Sequence, residues 1–228
     1  MKLRTIMIFP EFDNIEVIDK IREQYDPLAN LVRPHITIVF PFDSDRSNEE
    51  LKAVLENRLQ SVKSFKLEMA GVRKHEDRFG NYLFLEVTQG EKELCHIHDV
   101  LYKNEFSDYD LGLPYVPHIT IGKMSERRKL DEAYNKVKNM SETFGTIINK
   151  VSVEMIGDNE ESIIVAEIAL SWRENMEKEY DIWISKTKRF TGCIKCGAAY
   201  NKNNISEVLS NGSSRFFLRA SQWGCYRK

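Results

Sequence analysis

Five residues occur twice in this chain: Pro34-His35-Ile36-Thr37-Ile38 and Pro117-His118-Ile119-Thr120-Ile121. Each copy begins with a proline and opens a β-branched run, so both read as strands. A repeated pentapeptide in matching settings points to a fold with two related halves, each offering the same strand. Side chains at i and i+2 of a strand share a face. His35 is therefore expected beside Thr37, and His118 beside Thr120, with Ile36 and Ile119 turned into a core. If the halves face one another, two imidazoles and two hydroxyls line one cleft.

The surrounding pattern fits such a duplication. Residues 3–9 and 34–40 read as strands, with a helix at 14–24 between them through Ile15, Val17, Ile18 and Ile21. Ser47-Asn48-Glu49-Glu50 is a capping-box pattern, and it opens a helix over 47–59. Residues 65–72 and 82–87 alternate around Phe79-Gly80-Asn81 and read as a hairpin. A helix over 91–103, a strand over 118–121 and a charged helix over 125–137 follow. Strands are expected over 146–156 and 162–171, with a turn at Gly157-Asp158-Asn159. Helices followed by paired strands imply an α+β fold of two lobes.

Two imidazoles facing one cleft suit phosphodiester chemistry. Breaking a phosphodiester requires one proton to be taken from an attacking oxygen and another to be given to a leaving oxygen. Histidine does either near neutral pH. Each transfer contributes roughly 10²–10⁴-fold in rate. Hydroxyls of Thr37 and Thr120 can donate to the non-bridging oxygens, where transition-state charge gathers. A lone His-x-Thr is common in strands, and core histidines with satisfied hydrogen bonds would look the same. The second copy is what favours function. The mechanism needs no metal, and no cofactor is expected.

The tetrads His35-Ile36-Thr37-Ile38 and His118-Ile119-Thr120-Ile121 resemble the signature of the 2H phosphoesterase superfamily, which includes 2'-5' RNA ligase-like proteins and cyclic phosphodiesterases. Arg4-Thr5-Ile6-Met7-Ile8-Phe9-Pro10 and the stretch 32–41 resemble most a bacterial branch, the YjcG-like proteins of Gram-positive bacteria. The resemblance covers about residues 1–172. It implies a bilobal fold of antiparallel strands and helices around a central cleft. It also implies His35 and His118 as general acid and base, Thr37 and Thr120 on the phosphate, and an RNA or nucleotide phosphodiester as substrate. Substrates in the superfamily include 2',3'-cyclic phosphates and 2'-5' linkages, and reverse 2'-5' ligation is known there.

Other residues qualify less directly. Arg33 precedes the first motif and can reach a phosphate, although flanking charge is usually solvated. Tyr115 precedes the second motif and can stack on a base, or it can seal the lobe. Arg73, Lys74, His75 and Arg78 cluster on the hairpin, either as a basic rim or as a polar tip. His96 and His98 stand about 200° apart on a helix, which argues against a shared metal.

Residues 1–172 hold 22 basic and 30 acidic residues, a net of −8, whereas 173–228 have a net of +6. The shift marks a domain over 1–172 and a C-terminal extension over 173–228. Residues 185–228 carry nine Lys and Arg against Glu207 alone, interleaved with aromatics, which suits contact with nucleic acid. Cys193-Ile194-Lys195-Cys196-Gly197 is half of a zinc knuckle, but only Cys225 remains nearby as a further ligand. No run is long and apolar enough to span a membrane. The opening residues lack a signal-peptide pattern, so a cytoplasmic location is expected. The competing function is a nucleic-acid-binding or RNA-repair accessory module without turnover, separable by whether both histidines are needed.

Overall fold

A computed structural model describes residues 2–172. The order is β1 (Lys2–Ile8), α1 (Ile15–Tyr25), β2 (Ile36–Ser44), α2 (Asn48–Leu59), β3 (Phe65–Asp77), β4 (Gly80–Gln89) and α3 (Glu91–Tyr102). After a short 3-10 turn come β5 (His118–Met124), α4 (Arg127–Val137), β6 (Thr143–Ile148), β7 (Lys150–Ile156) and β8 (Ser162–Ala169). The strands form two antiparallel sheets, ordered β2-β1-β7-β8 and β5-β4-β3-β6. The duplication is visible in that order. β1-α1-β2 in the first lobe matches β4-α3-β5 in the second, and each motif strand lies at an edge of its sheet. The helices cross over: α1 packs against β5, and α3 against β2. One hydrophobic core therefore serves both lobes.

Local chemistry explains several boundaries. Ser47 Oγ accepts from the Glu50 amide at 3.1 Å and Glu50 Oε2 accepts from the Ser47 amide at 2.7 Å, so the expected capping box starts α2. α1 buries Ile18 and Arg22, and its end is fixed by a buried 2.8 Å pair between Arg22 and Asp26.

Three expectations need correction. The strand expected over 146–156 is two strands. β6 pairs with β3 and β7 with β1 and β8, so the chain passes from one sheet to the other at Asn149, whose carbonyl accepts from the Leu170 amide. Asn149 and Lys150 interrupt the apolar pattern there, but two polar residues alone do not announce a change of sheet. β2 runs through Pro41 to Ser44; the proline is tolerated because β2 is an edge strand and its pairing slips between Val39 and Phe42. β3 extends to Asp77, so Arg73, Lys74 and His75 lie within the strand and only Arg78 stands at the tip.

No helix of the described residues is long and apolar enough to cross a membrane. The Cys193, Cys196 and Cys225 expectation, and that of a basic, aromatic nucleic-acid surface, lie outside the described residues.

Candidate active site

Ile36, Ile38, Ile119 and Ile121 are at most 1% exposed. Burying each contributes roughly 1.5–3 kcal/mol. That burial fixes which way the strands face, because a one-residue slip would turn the isoleucines to solvent. His35, Thr37, His118 and Thr120 are left half-buried on the opposite face. Each motif strand then carries a bulge at the same place. Pairing passes from Thr37 to Val39 against β1, and from Thr120 to Gly122 against β4. A bulge bends a strand and re-aims its side chains. Here both copies bend directly after the threonine.

The two imidazoles are held alike. His35 Nδ1 lies 2.8 Å from the Arg33 carbonyl, and His118 Nδ1 lies 2.7 Å from the Val116 carbonyl. A carbonyl only accepts, so each Nδ1 carries the proton and donates it. Nε2 is therefore the basic nitrogen of both neutral rings. Burial lowers the His35 pKa below its ordinary value; the Arg33 carbonyl and Asp26 act against this and Arg22 with it. Burial lowers His118 to about 4. The Val116 carbonyl opposes that shift, while His75, Arg73 and His35 reinforce it.

Neither threonine hydroxyl is engaged by another described residue. Tyr115 bridges the motifs: its hydroxyl donates to the Thr37 carbonyl at 3.0 Å. Its ring is stacked on His98 at 3.9 Å and 12°. Burial pushes its phenol pKa well above the usual value. Arg33 is exposed, with its guanidinium 4.8 Å from the Phe9 ring centroid beside His35. His96 is exposed whereas His98 faces Tyr115 and Tyr102, so the pair diverges as the helix requires.

Sequence reasoning passed over Phe84. It stacks on His118 at 3.5 Å and 20°, with His75 on its other side at 4.9 Å and 20°. His75 is in turn 3.3 Å from Asp77. A signal existed: Leu83 and Leu85 are core residues, so Tyr82, Phe84 and Glu86 had to share the other face. Their closeness to His118 depends on the β4–β5 register, where Phe84 faces Thr120 and Glu86 faces His118.

Two antiparallel sheets, with a half-buried His-x-Thr on the edge strand of each, define a 2H-type phosphoesterase. The family model for the 2'-5' RNA ligase superfamily matches residues 9–158, and the chain belongs to that family. A protein of Oceanobacillus iheyensis named "Putative phosphoesterase" is 25% identical over 138 residues, which span 58% of this chain and 77% of the relative. One of Bacillus cereus with the same description is 30% identical over 121 residues, 51% of this chain and 67% of the relative. Among solved structures, Escherichia coli LigT without ligand aligns with a TM-score of 0.50 at 13% identity, covering 75% of this chain and 98% of LigT. A likeness of that kind establishes the shared fold.

Proposed function

We propose that His35 and His118 are the general acid and base of a phosphodiesterase acting on RNA-type or cyclic nucleotide phosphodiesters. The observation that carries this reading is the matched tautomer: both Nδ1 atoms are committed to backbone carbonyls, which leaves two Nε2 atoms as the working nitrogens. For a 2',3'-cyclic phosphate, one neutral Nε2 takes a proton from water as the water oxygen bonds to phosphorus. The other, protonated, gives its proton to the departing ribose oxygen as the P–O bond breaks. Thr37 and Thr120 donate to the non-bridging oxygens, whose charge rises in the transition state. Replacing water by an RNA hydroxyl turns the same steps into 2'-5' ligation.

Both free imidazoles are neutral at pH 7, because the site disfavours their charged forms. The acid must therefore gain its proton when the substrate binds. A phosphate anion provides for this by raising the pKa of a neighbouring imidazole. Escherichia coli LigT has been crystallised with 3'-AMP, and a nucleotide is the ligand class inferred here. Tyr115 and Arg33 serve the same site, Tyr115 by holding the Thr37 backbone and Arg33 by offering an exposed cation near His35.

The test is turnover of a phosphodiester panel in excess chelator by the native chain, His35→Ala and His118→Ala. The panel holds 2',3'-cyclic nucleotides and 2'-5' and 3'-5' dinucleotides. Turnover by the native chain, lost by roughly 10²–10⁴-fold in either variant, is expected. Folded protein that turns over nothing, yet binds RNA equally in all three forms, would make this a binding module.

A further inference from the structure

Beyond the two motifs, the site-facing sides of the lobes differ. In the first lobe Thr37 stands opposite Met7, Met7 opposite Ser152, and Thr5 opposite Glu154. All but Thr37 are buried. Val32 packs on Met7 and Phe9 there, and the Ser162 amide donates to the Leu31 carbonyl. These strand positions are closed, a cavity of about 510 Å³ lies beside them against Phe9, Val32, Arg33 and Pro34, and Arg33 over Phe9 is the face's one cation–aromatic pair among the described residues.

In the second lobe the corresponding face is closed at Phe84, which is 6% exposed, but opens from Tyr82 to the hairpin tip, and it holds such pairs in succession. Arg73 lies 5.8 Å from the Phe84 centroid, next to His118. Lys123 lies 5.5 Å from Tyr82, its partner in the β4–β5 register. Arg78 lies 4.7 Å from Phe79 at the hairpin tip, where Phe79 is 49% exposed. Phe84 and Tyr82 are two residues apart on one strand, about 7 Å at roughly 3.4 Å per residue. Arg73 shares its charge with Glu86 at 2.9 Å, but no ion pair engages Lys123 or Arg78 among the described residues. An aromatic ring with a free cation over it offers a stacking surface and a phosphate contact together, the combination that grips single-stranded nucleic acid.

We propose that this second-lobe face, from the edge of the His118 site past Tyr82 and Lys123 to Arg78 and Phe79, is a track for single-stranded oligoribonucleotide. The proposal rests on His35 and His118 marking the phosphodiester site. It makes the preferred substrate an RNA end several nucleotides long, lying on the His118 side, and not a free mononucleotide.

Anisotropy of labelled oligouridylates of one to eight nucleotides tests this on the full chain carrying His35→Ala and His118→Ala, so that RNA is not consumed. Affinity is expected to rise to about four nucleotides and then level off. Adding Tyr82→Ala and Lys123→Ala is expected to weaken four-nucleotide binding roughly tenfold and to leave the one-nucleotide value in place. Phe79→Ala, at a hairpin tip where the ring is 49% exposed, is expected to remove the last increment of length dependence. Affinity independent of length, or length dependence untouched by these changes, overturns the track. Because the assay reads binding alone, it can fail while the two-histidine reading stands, and loss of that reading in the turnover panel does not decide it.

Discussion

The first motif strand is hydrogen-bonded from outside its own lobe, and among the described residues the second is not. On β2 the Thr37 carbonyl accepts from Tyr115, and the Phe40 amide donates to the Tyr102 hydroxyl at 3.1 Å. Both tyrosines belong to the second lobe, and His98 lies between their rings. The first-lobe position matching Tyr115 is Val32, which has no hydroxyl to offer. Tyr25, which ends α1 as Tyr102 ends α3, instead packs beside Gly122; a Cβ there would stand 3.0 Å from Tyr25 Cβ. The charge environments diverge too. His118 is surrounded by Arg73, His75 and His35, whereas His35 has an Arg22–Asp26 pair that largely cancels itself. The duplicated backbone thus supplies matched imidazoles, and unduplicated side chains decide how firmly each is held and how readily it charges.

The sharpest way to break the comparison is to remove one hydroxyl at a time. Thr37→Val and Thr120→Val keep the β-branched shape and delete only the donor. Each is expected to lower kcat by roughly 10²-fold, the range seen when one oxyanion donor is lost. KM should change little, since the hydroxyls act mainly on charge that develops later. Losses that differ by more than tenfold would show that the halves are not equivalent at the phosphate, whatever their backbones share.

A smaller effect separates the two imidazoles by pH. Catalysis needs one ring protonated and one neutral, and kcat/KM reports these states in the free enzyme. Both pKa values lie below the ordinary 6.5, with His118 at about 4. The protonated partner is therefore depleted as pH rises, and kcat/KM is expected to fall about tenfold per unit above pH 6.5. Below pH 4 both rings charge and the base is lost, giving the acid limb. Removing one of the groups that lower His118 with His75→Gln should move the His118 limb upward and leave the His35 limb in place. A profile with its maximum above pH 7 would contradict the desolvation that sets these values.

Much of this was legible in the sequence because it follows from periodicity. The alternation of His and Thr with Ile gave the faces of β2 and β5, and the capping box gave the start of α2. The repeat itself gave the two-lobe plan and the four candidate residues. What escaped was set by register between distant strands. The stack of Phe84 on His118 depends on how β4 aligns with β5, and the break at Asn149 on which sheet each flanking strand joins. Tyr115 was readable as a site residue, but not its partner, because Thr37 lies 78 residues away.

That bridge gives the smallest effect and the most direct probe of how the lobes are coupled. Tyr115 donates to Thr37, while the next residue, Val116, accepts from His118. One dipeptide therefore touches both motifs. Tyr115→Phe keeps the ring on His98 and removes only the hydroxyl. The lost hydrogen bond is worth about 1 kcal/mol, a fall of roughly 2–4 °C in Tm for a domain of this size. If the bond merely supports the edge strand, kcat will follow stability and stay near native well below Tm. If it sets the placement of Thr37 relative to His118, kcat should drop several-fold at 25 °C while KM holds, since small misplacements cost rate more than binding. The second outcome is expected, because the accepting carbonyl belongs to Thr37, the residue whose hydroxyl is proposed to face the phosphate.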